Sequence, residues 1–220
     1  MILKRTVLTT LFISLFLSCS VFLPGSVSFN NAGYEFDYFT FNKTLDYDNK
    51  KYLLNSTSIN NSGLSSGLSF SYIDDFFDNQ LKSNVINVKY LKNNKGKQSI
   101  PFLISYDITN EQITFLKNNT DIDYIILTRI QYLEKIDKNT LSSLNKKRFA
   151  RSVAGAIASV KVLDIKTNTP LIEISCTTDV TNPEERNMYT NVKEFQPKAI
   201  HKNSYELGEK AMKKLLKKIR

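Results

Sequence analysis

The stretch Ala154–Asp179 constrains the fold more than any other part of the chain. Ala156, Ala158, Val160 and Val162 fall on one side of an extended backbone, and Ile157, Leu163 and Ile165 on the other. Further on, Ile172, Ile174 and Cys176 alternate with Glu173, Ser175 and Thr177. Alternation at period two, rich in β-branched residues, specifies strands with at least one buried face. Between the arms, Lys166-Thr-Asn-Thr-Pro170 supplies an Asn that accepts positive φ and a Pro suited to open the returning strand. The expectation is an antiparallel hairpin on which everything else packs.

The flanking segments fall into order around it. Lys50–Asn55 reads as a strand. Leu68, Tyr72, Ile73, Phe76 and Leu81 recur at helical spacing, with Asp74, Asp75 and Asp78 off the stripe. Val85–Leu91 reads as a strand, and Thr109 opens a helix that ends near Asn118 and Asn119. There Thr109 and Gln112 form a capping box, and Ile108 and Ile113 a hydrophobic staple. Asp123–Leu133, apolar on both faces at its start, predicts a central strand. Glu134–Phe149 is a polar insertion, loop or short helix, and Val180–Lys202 a long irregular connection. Asn203–Arg220 predicts a closing helix capped by Asn203 or Ser204. Its buried stripe is Leu207, Ala211, Leu215 and Ile219, with Met212 and Leu216 beside it. The order β-α-β-α-β-β-β-α predicts an α/β (α+β) fold, a mixed sheet with helices packed on it.

The N-terminus addresses the chain. Lys4 and Arg5 precede Val7–Leu17, an apolar run too short to cross a bilayer, which needs about 20 apolar residues. Ser18 and Cys19 follow. That ending resembles the lipobox of bacterial lipoproteins, in which the Cys is diacylated and becomes the mature N-terminus. It departs from the usual pattern at Phe16. The alternative is an ordinary secretory signal cut elsewhere. The expected division is a signal peptide over 1–18, a lipid-anchored tether over 19–48 and a single domain over 49–220. Ser20–Asn31 is small and polar. Gly33–Phe41 carries Tyr34, Phe36, Tyr38, Phe39 and Phe41, and suits either an edge strand on the domain or a docking segment for another protein. With Cys19 acylated, Cys176 has no disulfide partner and reads as a small buried hydrophobe.

From about residue 50 to the end, the chain is similar to a periplasmic α/β module. The members are curli-secretion-channel lipoproteins, lipoprotein activators of penicillin-binding proteins, and the N-terminal domain of the Tol-system β-propeller protein. Three stretches carry the resemblance: Asp121–Leu127, Val162–Thr167 with Leu171–Ser175, and the helix Ala211–Ile219. Two glycines of the pattern are absent, replaced by Asn168-Thr169 in the turn and by Thr128-Arg129 after the central strand. The resemblance implies a fold and an envelope location. Its members share no single activity.

Composition and motifs narrow the function. Formal charge is +9, and loss of Lys4 and Arg5 with the leader leaves 28 basic against 21 acidic residues. A moderate positive charge suits anionic lipid, a cell-wall polymer or an acidic envelope protein, whereas nucleic acid lies outside that compartment. Gly63-Leu-Ser-Ser-Gly67 fits a nucleophile elbow by letter. The preceding Ser58–Ser62 is polar, however, and the single His201 would be its only base, so a Ser65-dependent hydrolase is the weaker reading. One His and one remaining Cys leave no zinc site of standard composition, and no cofactor is implied. Adjacent carboxylates such as Asp74-Asp75 and Glu184-Glu185 point apart.

The expectation is a non-catalytic binding or assembly module of an envelope complex, lipid-anchored and facing the periplasm from the outer membrane. A subunit of an outer-membrane secretion channel is the alternative. The two irregular stretches suggest a basic recognition face of Lys146, Lys147, Arg148 and Arg151, with Tyr189 and Phe195 as aromatic anchors. The anchor has a direct test: labelled palmitate enters the wild-type protein and is lost in Cys19→Ser.

Overall fold

The expected hairpin is present in the computed structural model, which describes residues 27–29, 31–41, 45, 50–60, 70–91, 100, 103–181, 198–200 and 202–219. Its arms are Ser152–Asp164 (β7) and Thr169–Thr181 (β8). Asn168 takes a φ of 57° in the turn, and the Asp164 carboxylate accepts from the Lys166 and Thr167 amides. Pro170 pairs with Leu163, beyond Ile172 where the neighbouring strand stops pairing. Its missing N–H therefore breaks no second ladder.

The hairpin sits inside a seven-stranded mixed sheet. The other strands are Gly33–Phe41 (β2), Tyr52–Leu54 (β3), Ser58–Ile59 (β4), Val85–Asn87 (β5) and Tyr124–Tyr132 (β6). The order is β2-β8-β7-β6-β3-β5, with β4 also on β6. The pairs β2–β8, β8–β7 and β7–β6 are antiparallel, while β3 is parallel to both β5 and β6, and β4 is parallel to β6. β6 is buried along nearly its whole length, as a central strand must be. The aromatic segment Tyr34–Phe41 is the edge strand β2. Tyr34, Phe36 and Phe41 pack on the core, and a bulge between Tyr38 and Thr40 leaves Phe39 unpaired.

Among the described residues four helices cover the sheet: Ser71–Leu81 (α1), Asn110–Asn119 (α2), Ser143–Phe149 (α3) and Ser204–Leu216 (α4). On the first face, Ile73, Phe77 and Leu81 of α1 and Ala211, Met212, Leu215 and Leu216 of α4 meet Tyr52, Leu54, Ile126, Ile130, Val160, Ile174 and Cys176. Each such large side chain, once fully buried, contributes roughly 1.5–3 kcal/mol. Helix α4 comes close to the sheet because the strand beneath it is small. A Cβ added at Gly208 would lie 2.8 Å from Ile130 Cγ2 and from Tyr132 Cε1, and 3.3 Å from Ala156 Cβ. On the second face α2 covers one end, where Ile113 and Leu116 pack on Leu53, Ile125, Leu127, Leu163 and Ile165. α3 covers the other end, where Ile136, Leu141 and Phe149 pack on Ile157.

Several expectations change. The Thr109 capping box and the Asn203 cap form as expected, but the stripe of α1 is centred on Phe77 rather than Tyr72 and Phe76, which are only partly buried. The strand expected over Val85–Leu91 ends at Asn87. Its side chain accepts from the Lys89 amide and turns Val88–Tyr90 into a 3-10 helix. Ser58–Ile59, read as polar loop, pairs with Arg129 and Ile130. Glu134–Phe149, read as loop or short helix, does contain the short helix α3, preceded by two 3-10 turns.

The chain divides into two units, of which the second takes in the described residues 27–29, 31 and 198–200. There Val27–Phe29 (β1) pairs in parallel with Lys198–Ile200 (β9), so both a tether and a connection expected to be irregular contain strand. Three residues are too few to show a period. Cys19, Ser65, Tyr189, Phe195 and His201 lie outside the described residues.

The α4 contact predicts its own test. Gly208→Val has no room without lifting the helix from β6 and β7, and should lower stability by about 1–3 kcal/mol, read as a lower urea midpoint at unchanged slope.

Candidate functional site

The second face of the sheet is apolar only at its ends. Between the patches under α2 and α3, the side chains that point outward are polar, and they line up across strands. Arg129 on β6 opposes Ser159 on β7, Ser159 opposes Ser175 on β8, and Ser175 opposes Asp37 on β2. In the adjacent row Lys161 opposes Glu173. With neither helix covering it, this band forms the floor of a cleft of about 460 Å³. One wall is the loop residues Tyr106 and Asp107. The other is Thr140, Leu141, Ser142 and Asn145, and Phe39 stands at the rim. The bulge explains Phe39: an extra residue re-aims its side chain out of the ladder, leaving the ring 69% exposed.

The charges in the cleft are organised around one ring. The Arg129 guanidinium lies 4.1 Å from the centroid of Tyr106, and Lys161 Nζ 4.9 Å from the same ring. Cations at such distances are attracted by the aromatic quadrupole. Arg129 Nη1 donates to Asp107 Oδ2 at 2.9 Å, and Lys161 Nζ reaches Glu173 Oε1 at 2.9 Å. Burial, chiefly, pushes the Tyr106 phenol up, so it stays protonated near neutral pH. The floor residues Gln131, Ser159 and Ser175 are all buried. Arg129 Nε is buried without a hydrogen-bond partner among the described residues.

A second opening, of about 930 Å³, lies between α3 and β2 and is lined by Tyr34, Glu35, Phe39, Leu144, Lys147, Arg148, Arg151 and Asp179 among others. The strand ends that carry the two connections do lie together, since Ser152 opposes Thr181. The expected basic face divides by role, however. Lys146, Lys147 and Arg151 are exposed. Arg148 is largely withdrawn: its Nε donates to Asp179 Oδ1 at 2.5 Å and its Nη1 to Glu35 Oε2 at 2.6 Å. Ser152 Oγ donates to the other Asp179 oxygen at 2.8 Å. Arg148 thus ties α3 to both β8 and β2. Cys176 is buried, and burial lifts its thiol to about 12, as expected of a packing residue.

The sequence reading missed Tyr106, Asp107, Arg129, Gln131, Lys161 and Glu173. One signal was there. An Arg inside the apolar run Tyr124–Tyr132 has to be paired or at a site, because charged side chains are almost never buried alone. The rest sit at polar positions of an alternation and read as a solvated face.

The Arg148 network yields a prediction. Arg148→Ala strands the Asp179 carboxylate and should cost about 2–3 kcal/mol, a buried-pair loss reduced for partial exposure. Removing Asp179 in that background should recover part of it, whereas charge reversal at Lys146 and Lys147 should stay within about 0.5 kcal/mol. Thermal melts of the four variants distinguish these outcomes.

No known protein family matches the sequence, and none of the curated proteins matches it. Among solved structures, a chain of the PelC dodecamer from Paraburkholderia phytofirmans is similar at a TM-score of 0.40 and 5% identity, over 85% of this chain and 97% of that one. A single-residue variant of that dodecamer gives 0.34 and 5% over 86% and 97%. Likeness at this level leaves the functional reading to the residues themselves.

Proposed function

We propose that this chain is a lipid-anchored, non-catalytic binding module of the bacterial cell envelope. The observation that carries the reading is the cleft on the second face. Its volume of about 460 Å³ falls within the range of about 300–1,000 Å³ usual for ligand sites. Its two carboxylates, Asp107 and Glu173, are each engaged by a cation, and its hydroxyls and amides are hydrogen-bonding groups. That is equipment for holding a polar molecule.

The anchor comes from the sequence. The apolar leader ending in Ser18-Cys19 supports acylation at Cys19 and removal of residues 1–18, with palmitate among the acyl chains. Acyl chains contribute about 0.8 kcal/mol per buried CH₂. Among the described residues, no helix is long and apolar enough to cross a membrane. The chain would face the periplasm, with an envelope protein or wall component as its partner. A channel subunit would instead need strands of about 9–11 residues to cross the membrane, while Leu133–Phe149 folds as two 3-10 turns and α3.

The test is a photo-crosslinking residue placed at Phe39, on the cleft rim, in cells that retain their envelope, with the same residue at Lys217, at the C-terminal end of α4, as control. The expected result is membrane-fraction protein that forms adducts from position 39 and not from 217. Release of wild-type protein into the soluble fraction, or equal adducts from both positions, would sink the proposal.

A further inference from the structure

The two ion pairs in the cleft differ in how easily they part. Lys161 and Glu173 are cross-strand neighbours on β7 and β8, with side chains only 19% and 27% exposed. Both are held by the ladder itself. Arg129 is comparably withdrawn at 20%, but its partner Asp107 is 75% exposed on a loop. A pair with one solvated, unrestrained member adds little stability and exchanges readily. The guanidinium, in contrast, is fixed. It is stacked on Tyr106, carried by the central strand, and has a buried Nε with no acceptor among the described residues. A desolvated cation with unused donor capacity and an exchangeable counter-ion is built to receive an anion.

The surroundings narrow the anion. Arg129 and Lys161 are balanced by Asp107 and Glu173, and Asp37 lies beyond Ser175 at 3.4 Å. A multiply charged anion would meet as much repulsion as attraction. A single carboxylate that takes the place of Asp107 leaves the balance unchanged. Around the guanidinium stand Gln131, Ser159 and Ser175 on the floor and Thr140, Ser142 and Asn145 on the wall. These are neutral groups that hydrogen-bond hydroxyls and amides.

We infer that the cleft takes a small monocarboxylate bearing hydroxyl or amide groups, with Arg129 as its anchor and Asp107 as the counter-ion it displaces. A sugar acid and a peptide carboxylate share that chemistry. The inference rests on the cleft being the binding site, and its test separates the two ideas.

The full chain in detergent would be titrated by calorimetry at low salt with glucuronate and with N-acetylalanine, and with glucose and N-acetylalaninamide as neutral counterparts. The better carboxylate identifies the source and should bind about tenfold more tightly than its neutral counterpart, the scale of one charge-assisted contact. Arg129→Gln should abolish that preference. Asp107→Asn should tighten carboxylate binding about threefold by removing the competitor, the scale of an exposed ion pair. Asp107 is exposed, so this variant stays informative even if Arg129→Gln fails to fold. Weaker binding in Asp107→Asn, or no binding of either carboxylate, overturns the inference. Equal binding of charged and neutral probes also overturns it while leaving the cleft a binding site. Adducts at Phe39 decide the broader function independently.

Discussion

The contact between α4 and β7 sets the dimensions of this fold. Ala156 and Ala158 place only methyl groups under the helix, and Gly208 places none above them. The helix axis can therefore lie close to the sheet, and Leu207, Ala211, Met212 and Leu215 all become fully buried. Closeness also brings polar groups into range. Ser204 Oγ accepts from the Gly155 amide at 3.0 Å and donates to Glu134 Oε1 at 2.6 Å. A buried backbone N–H is satisfied, and the start of α4 is hooked to β7 and to the 3-10 turn that follows β6. Larger residues on β7 would lift the helix and break both hydrogen bonds.

With one face committed to that packing, the other face decides function. It carries two apolar patches with a polar band between, and each short helix can cover only its own patch. The band cannot simply be left unsatisfied, because polar groups withdrawn from water must find partners. It solves this through cross-strand pairs and the stacking of Arg129 and Lys161 on Tyr106. Among the described residues the solution is incomplete at Arg129 Nε. A cleft is what remains when two helices stop short of a row of side chains that has no apolar surface to offer them.

How much of this could be read beforehand depends on period. The hairpin, the central strand, the Thr109 capping box and the closing helix were legible because their signals extend over many residues or have fixed spacing. β4, with two residues, and β1 and β9, with three each, have no period to detect. Phe77 was missed because Tyr72, Ile73, Phe76 and Phe77 together offer two overlapping stripes, and only the sheet beneath selects one. The cleft was illegible for a deeper reason. Lys161, Glu173, Ser159 and Ser175 obey the alternation of a half-solvated strand. Whether such a face meets water or a wall depends on the loop at Tyr106 and on α3, which are distant in sequence.

Arg148 shows why composition misled about the basic cluster. Four cations within six residues invite the reading of a binding patch, but only geometry says which of them is already used. Arg148 joins α3 to Asp179 on β8 and Glu35 on β2. Helix α3 begins at its own cap, where Ser142 accepts from the Asn145 amide at 3.2 Å. Ser142 and Asn145 are also wall residues of the cleft. The ion pair therefore acts at a distance from the cleft floor: by fixing α3 against the sheet edge, it holds the cap in place and sets the gap between that wall and Tyr106. The densest positive charge in the sequence is in part the clamp that holds one wall of the cleft, and the Arg proposed to meet an anion, paired here with Asp107, is hidden by the sequence inside its central strand.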